Sequence, residues 1–488
     1  MSVAATAGAL RAAAWLVDRW SRSDFITSRG AVSRNLELVR LGSRGGGRYA
    51  LLKARKTFAS AERKAELNDQ FQLKTAADVT DSLGNMKGAM MKIGQMASYL
   101  DTGLPDHVRQ TLASLQNDAP PMAPELVAEQ IKAELGLPPN ELFAEWDDQP
   151  IASASIGQVH RAITRDGQAV AVKVQYPGVA EAMSADLKNA DWVFRAMSGV
   201  FPGVDPEPVV AELKERLVEE LDYTAEARNQ RHFNAYFDEH PYISVPAVID
   251  EYSTRNVLTT ELATGCQFSD VMSWSDAEKN MVAETLFRFS FGAIYQLHAF
   301  NGDPHPGNYL FNPGGQVTFL DFGLVKRFNP AETQLFEDLI QAMVIDKNPT
   351  AFRQVIERTG ILPPDLAFDN QFVTDYFSYY YLYVMDDEEL TIDEEYAAGG
   401  VKHIFDTAGP YKDLRQCLNV PASFVVLQRI TLGLMGLFAQ LEAKANWHRI
   451  ARELWPFTMD DPSTEMGAQI HKWERAHNKR ATWATRSK

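Results

Sequence analysis

The sequence predicts an α+β protein in which a small strand-rich region precedes a large helical one. Residues 169–176 alternate apolar and polar side chains after the Asp166-Gly167 turn, which is typical of the second strand of a hairpin. After Gly265 the pattern is mostly helical, interrupted by two short apolar runs around 309–320 that predict a second hairpin. The 488 residues are 45% hydrophobic, enough for a large core.

Basic residues are concentrated at both ends of the chain. The net charge is −16, yet residues 1–56 carry 11 Lys/Arg against three Asp/Glu, and residues 468–488 carry six against one. The body between them is therefore strongly acidic, which excludes a nucleic-acid surface across it. We expect the basic ends to contact an anionic membrane surface or an acidic partner.

The N-terminal segment allows three interpretations. Its Arg, Ala and Ser content resembles an organellar transit peptide. Leu10, Ala13, Val17 and Trp20 recur at helical spacing, so an amphipathic surface helix or an ordinary packed helix is an equal alternative. Polar residues interrupt the apolar stretch 422–441, which therefore predicts a buried helix rather than a membrane span.

Helical and strand patterns alternate before the second half of the chain. A helix is expected from Glu125 to Leu135, ending at Gly136. Another helical pattern covers residues 208–237, and strand-like runs follow at 243–249 and 256–262.

The strongest chemical signal is Asp303-Pro-His-Pro-Gly-Asn308, followed across the second hairpin by Asp321-Phe-Gly323. Phosphoryl transfer from a nucleotide requires a group that positions the acceptor oxygen, and oxygen ligands for Mg²⁺. The two segments provide these groups in the order that kinase-like folds use. We expect Asp303 to be the base or positioner, and Asn308 and Asp321 to bind Mg²⁺.

Lys173 lies inside an apolar strand, where an isolated charge costs free energy unless it is paired. The helical segment that follows supplies Glu220, Asp222 and Glu226, of which Asp222 and Glu226 are spaced to share one face. We expect Glu226 to pair with Lys173. The alternative is that Lys173 extends from an edge strand to solvent, and that the acidic residues form a solvated face of the helix.

These motifs, together with Lys92-Ile-Gly-Gln95 and Ala152-Ser-Ala-Ser-Ile-Gly-Gln158, resemble the UbiB/AarF (ADCK) family of atypical kinase-like ATPases. The resemblance covers roughly residues 80–345, and more loosely extends to 455. It implies a two-lobed protein-kinase-like fold that binds ATP or ADP with Mg²⁺. The implied regions are a basic leader and helix (1–75), a helical extension with the Lys-x-Gly-Gln motif (76–145), an N-lobe (146–262), a helical C-lobe (263–455) and a basic tail (456–488).

The resemblance also implies roles for individual residues. Lys173 and Glu226 would form the lysine–glutamate pair. The helix that carries Lys92 and Gln95 would cover the active site, opposite Glu220 and Asp222. The residues expected to contact the nucleotide are Ala152, Ser153, Ala154, Ser155, Lys173 and Glu261.

Two departures from ordinary patterns are informative. Residues 152–155 form an Ala/Ser loop in place of a Gly-rich loop, and side chains there restrict how closely the backbone approaches phosphates. The resemblance implies that such a loop alters nucleotide preference and disfavours self-phosphorylation. Asn301-Gly302 replace the His-Ala that usually precedes this family's loop, so we expect a change in the hydrogen bond that orients the loop.

We interpret the chain as a Mg-ATP-dependent ATPase or phosphotransferase that supports isoprenoid-quinone or related prenyl-lipid metabolism. Its partners would be an adenine nucleotide, a prenyl lipid or quinone precursor, and a membrane surface contacted peripherally. One alternative is a nucleotide-gated lipid-binding scaffold. Another is a small-metabolite kinase, because the loop at 301–308 also resembles that of antibiotic and choline kinases; protein kinase activity in trans ranks last. The expected location is the cytoplasm, or a mitochondrion or plastid in a eukaryote.

Overall fold

The computed structural model describes residues 122–153, 156–179, 221–302, 304–405, 409–419 and 421–479. The chain divides into two compact units. The first comprises Met1–Gly167 and Val172–Leu221, and the second comprises Gln168–Ala171 and Asp222–Lys488. Helices and strands are mixed, so the α+β class is confirmed.

The described part of the first unit is a short helical segment followed by a meander of strands. Its described elements are helices α1 (Pro124–Leu135) and α2 (Pro139–Leu142) and strands β1 (Glu145–Ser153), β2 (Gly157–Ile163) and β3 (Ala169–Gln175), of which β3 begins in the second unit. Strands β1 and β2 are antiparallel, and β3 lies on the other side of β2. The predicted hairpin is thus confirmed. The sequence did not predict β1, because most of its side chains are exposed and show no alternation.

Helix α1 ends where the sequence predicts. Gly136 adopts a left-handed conformation with φ +87°, and its amide donates to the carbonyl of Lys132. Glycine is favoured at this position because it has no Cβ to clash in that conformation.

A buried polar chain supports the strands of the first unit. The amide of Met122 donates to Gln158 Oε1 at 2.8 Å, and Gln158 Nε2 lies 2.8 Å from His160 Nε2. His160 Nδ1 lies 2.8 Å from the carbonyl of Asp147. Burial lowers the pKa of His160, so its ring stays neutral and can accept at Nε2 while it donates at Nδ1. Within the segment Ala152–Gln158, Gln158 therefore connects the chain at Met122 to His160 of β2.

The second unit is mostly helical. Its described helices are α3 (Tyr223–Tyr236), α4 (Phe268–Val271), α5 (Asp276–Gln296), α6 (Pro330–Ile340), α7 (Pro349–Arg358), α8 (Asn370–Ser378), α9 (Leu382–Met385), α10 (Glu394–Phe405), α11 (Lys412–Cys417), α12 (Ala422–Leu441), α13 (Trp447–Leu454) and α14 (Glu465–Ala476). A π-helical turn (Gln341–Ile345) continues α6, and a 3₁₀ turn (Tyr379–Tyr381) joins α8 to α9; two further 3₁₀ turns are Asp250–Tyr252 and Pro306–Asn308.

Short strands organise the loops of the second unit. They are β4 (Ile243–Ser244), β5 (Val257–Glu261), β6 (Ala299–Asn301), β7 (Tyr309–Asn312), β8 (Gln316–Phe319), β9 (Val325–Arg327), β10 (Leu390–Ile392) and β11 (Ala443–Ala445). Strands β7 and β8 form the predicted antiparallel hairpin, and β4 pairs parallel to β8. Strand β6 pairs with β9, and β10 pairs with β11. The strand predicted at 243–249 extends only to Ser244, whereas the one predicted at 256–262 matches β5.

One predicted helix needs correction. The pattern at 208–237 predicted a helix that continues through Asp222, but α3 begins at Tyr223, and Asp222 is its N-cap. The Asp222 carboxylate accepts from the Thr224 amide at 2.9 Å, and such a local bond competes with helix continuation. Asp222 is therefore not on the helical face that the sequence predicted.

Helix α5 is the central element of the core of the second unit. Most of its side chains are buried, and Phe289 stacks on Phe319 of β8 with ring centroids 3.5 Å apart. Helix α12 is the helix predicted at 422–441, and its Phe438 stacks on the fully buried Trp447. Burial of each such ring stabilises the fold by ~1.5–3 kcal/mol. Among the described residues, no helix combines the length and apolarity needed to cross a bilayer.

Candidate functional site

The loop at 302–308 and the segment after β8 are joined at their bases. Strand β6 pairs antiparallel with β9, with Asn301 opposite Val325. The Gly302 amide donates to the Leu324 carbonyl at 2.6 Å, and a Cβ on Gly302 would lie only 2.8 Å from the Leu324 side chain. This close approach favours glycine at position 302.

Asn301 connects the loop to the Asp-Phe-Gly segment. Its Nδ2 donates to the main-chain carbonyl of Asp321 at 2.7 Å, and the Asn301 side chain is buried. The residue at which the sequence departs from the expected loop pattern thus makes a hydrogen bond between the loop and the Asp-Phe-Gly segment. A buried bond of this kind fixes where the carboxylate of Asp321 leaves the backbone.

Asn308 and Asp321 lie on segments linked by the backbone. The Leu320 amide donates to the Asn308 carbonyl at 2.9 Å, and the Asp321 Oδ1 accepts from the Gly323 amide at 2.9 Å. Both side chains are half-buried. The second unit thus brings an amide oxygen and a carboxylate, two ligand types suited to Mg²⁺, to neighbouring segments.

Glu226 lies beside the same turn. Its side chain is 4% exposed, and a Cβ placed on Gly323 would lie 3.7 Å from Glu226 Oε2 and 3.3 Å from Asp321 Oδ1. The two carboxylates therefore flank one glycine. Because like charges repel in a partly buried site, this arrangement favours a cation nearby.

Helix α3 is attached to the Asp-Phe-Gly segment by residues that the sequence analysis did not single out. Asn229 Nδ2 donates to the Phe322 carbonyl at 3.1 Å, and its Oδ1 accepts from Arg327 at 3.1 Å. The Phe322 ring is fully buried and lies 5.0 Å from the ring of Phe233. The sequence indicated Asn229 only by its position three residues after Glu226. An asparagine on a helix is usually solvent-exposed, so that position did not predict a contact with the Asp-Phe-Gly segment.

Another missed residue is Gly433 of α12. A Cβ at this position would lie 2.7 Å from Pro304 Cγ, so the helix backbone closely approaches the proline of the loop at 302–308. The sequence did not single out Gly433, because a glycine inside an apolar helix usually only lowers the stability of the helix. The contact with Pro304 also joins segments more than a hundred residues apart, so sequence spacing does not indicate it.

In the first unit, Ala152 and Ser153 end strand β1 and lie opposite Val159 and Gln158. A Cβ on Gly157 would lie 2.2 Å from the carbonyl oxygen of Val174, so only glycine fits this junction.

Lys173 is half-buried on β3, between the fully buried Val172 and Val174. Lys173 and Glu226 belong to different units, so their pairing stays a prediction.

Asp222 and Glu261 have local partners in the second unit. Burial opposes ionisation of Asp222, but the hydrogen bonds from Thr224 and the charge of Arg255 outweigh it, so its pKa lies below the ordinary value. Glu261 is exposed at the end of β5, where its Oε2 accepts from the Ala247 amide at 3.0 Å. The remaining predicted site residues, Lys92, Gln95, Ala154, Ser155, Glu220 and Asp303, lie outside the described residues.

Comparison with known proteins identifies related sequences. Residues 114–356 match the family model described as the ABC1 atypical kinase-like domain. Atypical kinase COQ8 of Saccharomyces cerevisiae, a mitochondrial protein, is 33% identical over 51% of this chain and 50% of its own length. An aarF domain-containing chloroplastic protein of Arabidopsis thaliana is 32% identical over 62% of this chain and 43% of its own length. The matches thus span about half the length of these relatives.

A solved structure extends the comparison to the fold. It is the complex of Rv3197 with erythromycin from Mycobacterium tuberculosis, which is 29% identical with a TM-score of 0.59. The alignment covers 80% of this chain and 98% of that one. The kinase-like fold implied by the sequence motifs is thereby confirmed.

Proposed function

Because the chain belongs to the UbiB/AarF family of ABC1 atypical kinase-like proteins, we propose that it binds Mg-ATP and hydrolyses or transfers the terminal phosphoryl group. The observation that carries the proposal is the pair of linked segments in the second unit that bear Asn308 and Asp321. Their side chains are the oxygen donors that Mg²⁺ prefers, and they lie half-buried rather than on an open surface. The donor set therefore fits the metal.

The residues of the chain would act mainly by positioning. Asn308 and Asp321 would hold Mg²⁺, which when bound neutralises negative charge on the phosphoryl oxygens. The Gly323 amide fixes one carboxylate oxygen of Asp321, and Asn301 fixes its backbone. We assign Asp303 as the base or positioner of the acceptor oxygen, in keeping with its place one residue after Gly302.

The nucleotide contacts are assigned by the same resemblance. Lys173 would contact the phosphates and pair with Glu226, whose burial beside Gly323 suits a carboxylate that serves a cation. The Ala/Ser loop at 152–155 and Glu261 would complete the nucleotide site. The helix with Lys92 and Gln95 would limit access, opposite Glu220 and Asp222.

The physiological role is proposed from the relatives. Since the match includes COQ8 proteins named as mitochondrial atypical kinases, we assign the chain a role in isoprenoid-quinone or related prenyl-lipid metabolism. An organellar location is proposed if the source is eukaryotic. The basic segment 1–56 would contact anionic membrane surfaces, and its deletion should reduce sedimentation with anionic liposomes; unchanged sedimentation would remove this part of the proposal.

ATP turnover tests the central proposal. The purified chain should release phosphate from ATP in the presence of Mg²⁺, and EDTA should abolish the release. Asp321→Asn should lower kcat by about 100-fold or more, because the neutral amide binds Mg²⁺ weakly. Asp413→Asn, an exposed aspartate on α11, is the matched control. Equal turnover in both variants would exclude Asp321 from the mechanism.

A further inference from the structure

The helical second unit contains an apolar cavity that the proposed nucleotide chemistry does not use. Its volume is about 330 Å³, within the range of about 300–1,000 Å³ typical of small-ligand sites. Helices α5, α6, α12 and α13 contribute its walls, and Phe287, Leu339 and Leu427 are examples of its lining side chains. All of these belong to one unit.

The helices around the cavity are locally irregular. The 3₁₀ turn Tyr379–Tyr381 contributes two tyrosines to the wall, and the π-helical turn Gln341–Ile345 directly follows the wall residues Leu339 and Ile340. Such breaks in helical geometry are frequent at functional sites because they redirect side chains.

Three tyrosines line the cavity without a hydrogen bond among the described residues. Tyr295, Tyr381 and Tyr383 line it, and none of them makes a hydrogen bond to a residue that the structure describes. Desolvation raises the pKa of each, so the phenols are protonated at neutral pH and can donate. These hydroxyls can donate to water or to a ligand oxygen in the cavity.

A connected polar group forms one part of the lining. Gln428 Nε2 donates to the hydroxyl of Tyr380 at 3.3 Å, and Tyr376 and Arg415 line the cavity together with Tyr380. Over the ranges that the structure describes, no carboxylate forms an ion pair with Arg415. The guanidinium thus supplies a positive charge and free donor capacity next to an apolar space.

We propose that this cavity binds a single-headed anionic amphiphile, with its hydrocarbon chain among the aromatic walls and its carboxylate at Arg415. The apolar walls favour the chain by the hydrophobic effect, and the guanidinium favours an anionic oxygen head by a charge-assisted bond. Binding requires neither nucleotide nor Mg²⁺, so it is separable from the proposed ATP chemistry.

Isothermal titration calorimetry of the full chain without nucleotide tests the proposal, with dodecanoate below its micelle concentration as the probe. We expect saturable 1:1 binding and at least tenfold weaker binding of octanoate, which has four fewer methylene groups. Arg415→Gln should weaken dodecanoate about tenfold but dodecanol less than about twofold, because only the carboxylate loses a charged partner. Arg475→Gln, on an exposed face of α14, is the matched control.

The location is tested by a second measurement. Trp455 lines the cavity, so 12-bromododecanoate should quench its fluorescence, and Trp455→Phe should remove that quenched component while binding persists. Leu427→Trp should fill the space and weaken every probe tenfold or more. No saturable binding, or quenching that survives in Trp455→Phe, would overturn the site. Tighter binding of a neutral alkylphenol, with no effect of Arg415→Gln, would overturn the anionic head group.

Discussion

The Asn301 side-chain amide donates a 2.7 Å hydrogen bond to the main-chain carbonyl of Asp321. The bond joins the residue just before the loop at 302–308 to the first residue of the Asp-Phe-Gly segment. Its donor is one of the two residues at which the sequence departs from the family pattern.

Asn301→Ala should therefore impair catalysis more than nucleotide binding. The main-chain carbonyl of Asp321 would lose the donor that the buried Asn301 side chain supplies, at a cost of ~1–3 kcal/mol, which corresponds to about a 5- to 150-fold loss in kcat. Steady-state ATP turnover gives kcat and KM separately. Asn301→His restores a ring N–H and should recover part of the loss; equal defects in both variants would mean that the hydrogen bond does not set the rate.

Helix α12 provides a matched pair of glycines. Gly433→Ala places a Cβ 2.7 Å from Pro304 Cγ and should displace the catalytic loop, with about a tenfold or greater loss of turnover. A Cβ on Gly436 meets open space, so Gly436→Ala should keep wild-type turnover and stabilise the protein by ~0.4–1 kcal/mol in urea unfolding. Wild-type turnover in Gly433→Ala would show that this contact does not position the loop.

Gly157 is expected to be required for folding of the first unit. Gly157→Ala would put a Cβ 2.2 Å from the Val174 carbonyl oxygen, and backbone atoms cannot move aside cheaply, so we expect ~1–3 kcal/mol of destabilisation. Gly292→Ala is the control, because its Cβ would meet only the flexible Gln296 side chain, at 3.1 Å. Urea unfolding of both variants measures the difference, and equal midpoints would contradict the prediction.

His240 should make stability depend on pH. Desolvation and the charge of Arg288 lower its pKa to about 3, and its Nδ1 accepts from the amides of Tyr242 and Ile243. The folded ring stays neutral while the unfolded chain takes up a proton below about pH 6.5, so acidification favours unfolding. Stability should fall as the pH drops from about 6.5 towards 3, by at most about 2 kcal/mol between pH 7 and 5.

The variant His240→Gln isolates this effect. Its free energy of unfolding should change less between pH 7 and 5 than that of the wild type, because glutamine does not titrate and can still accept a hydrogen bond. An unchanged pH dependence in His240→Gln would reject His240 as the titrating group.

Local patterns in the sequence determined much of the fold. The strand alternation at 169–176, the hairpin around Asn312 and the helix end at Gly136 are all present, because each depends on neighbouring residues. The sequence misled at Asp222, which is the N-cap of α3 and accepts a hydrogen bond from Thr224. It missed β1, whose exposed side chains leave no periodic signal.

The family could also be predicted from the sequence, because the Lys92–Gln95 motif and the Ala/Ser loop occur together with the ordered Asp303, Asn308 and Asp321, and the comparisons confirm that family. The roles of these residues stay predictions. Only the tertiary structure decided which groups contact the segments that bear Asn308 and Asp321. Asn301, Gly433 and the cavity beside Arg415 depend on contacts between segments far apart in the chain, and sequence spacing carries no record of such contacts until the chain is packed.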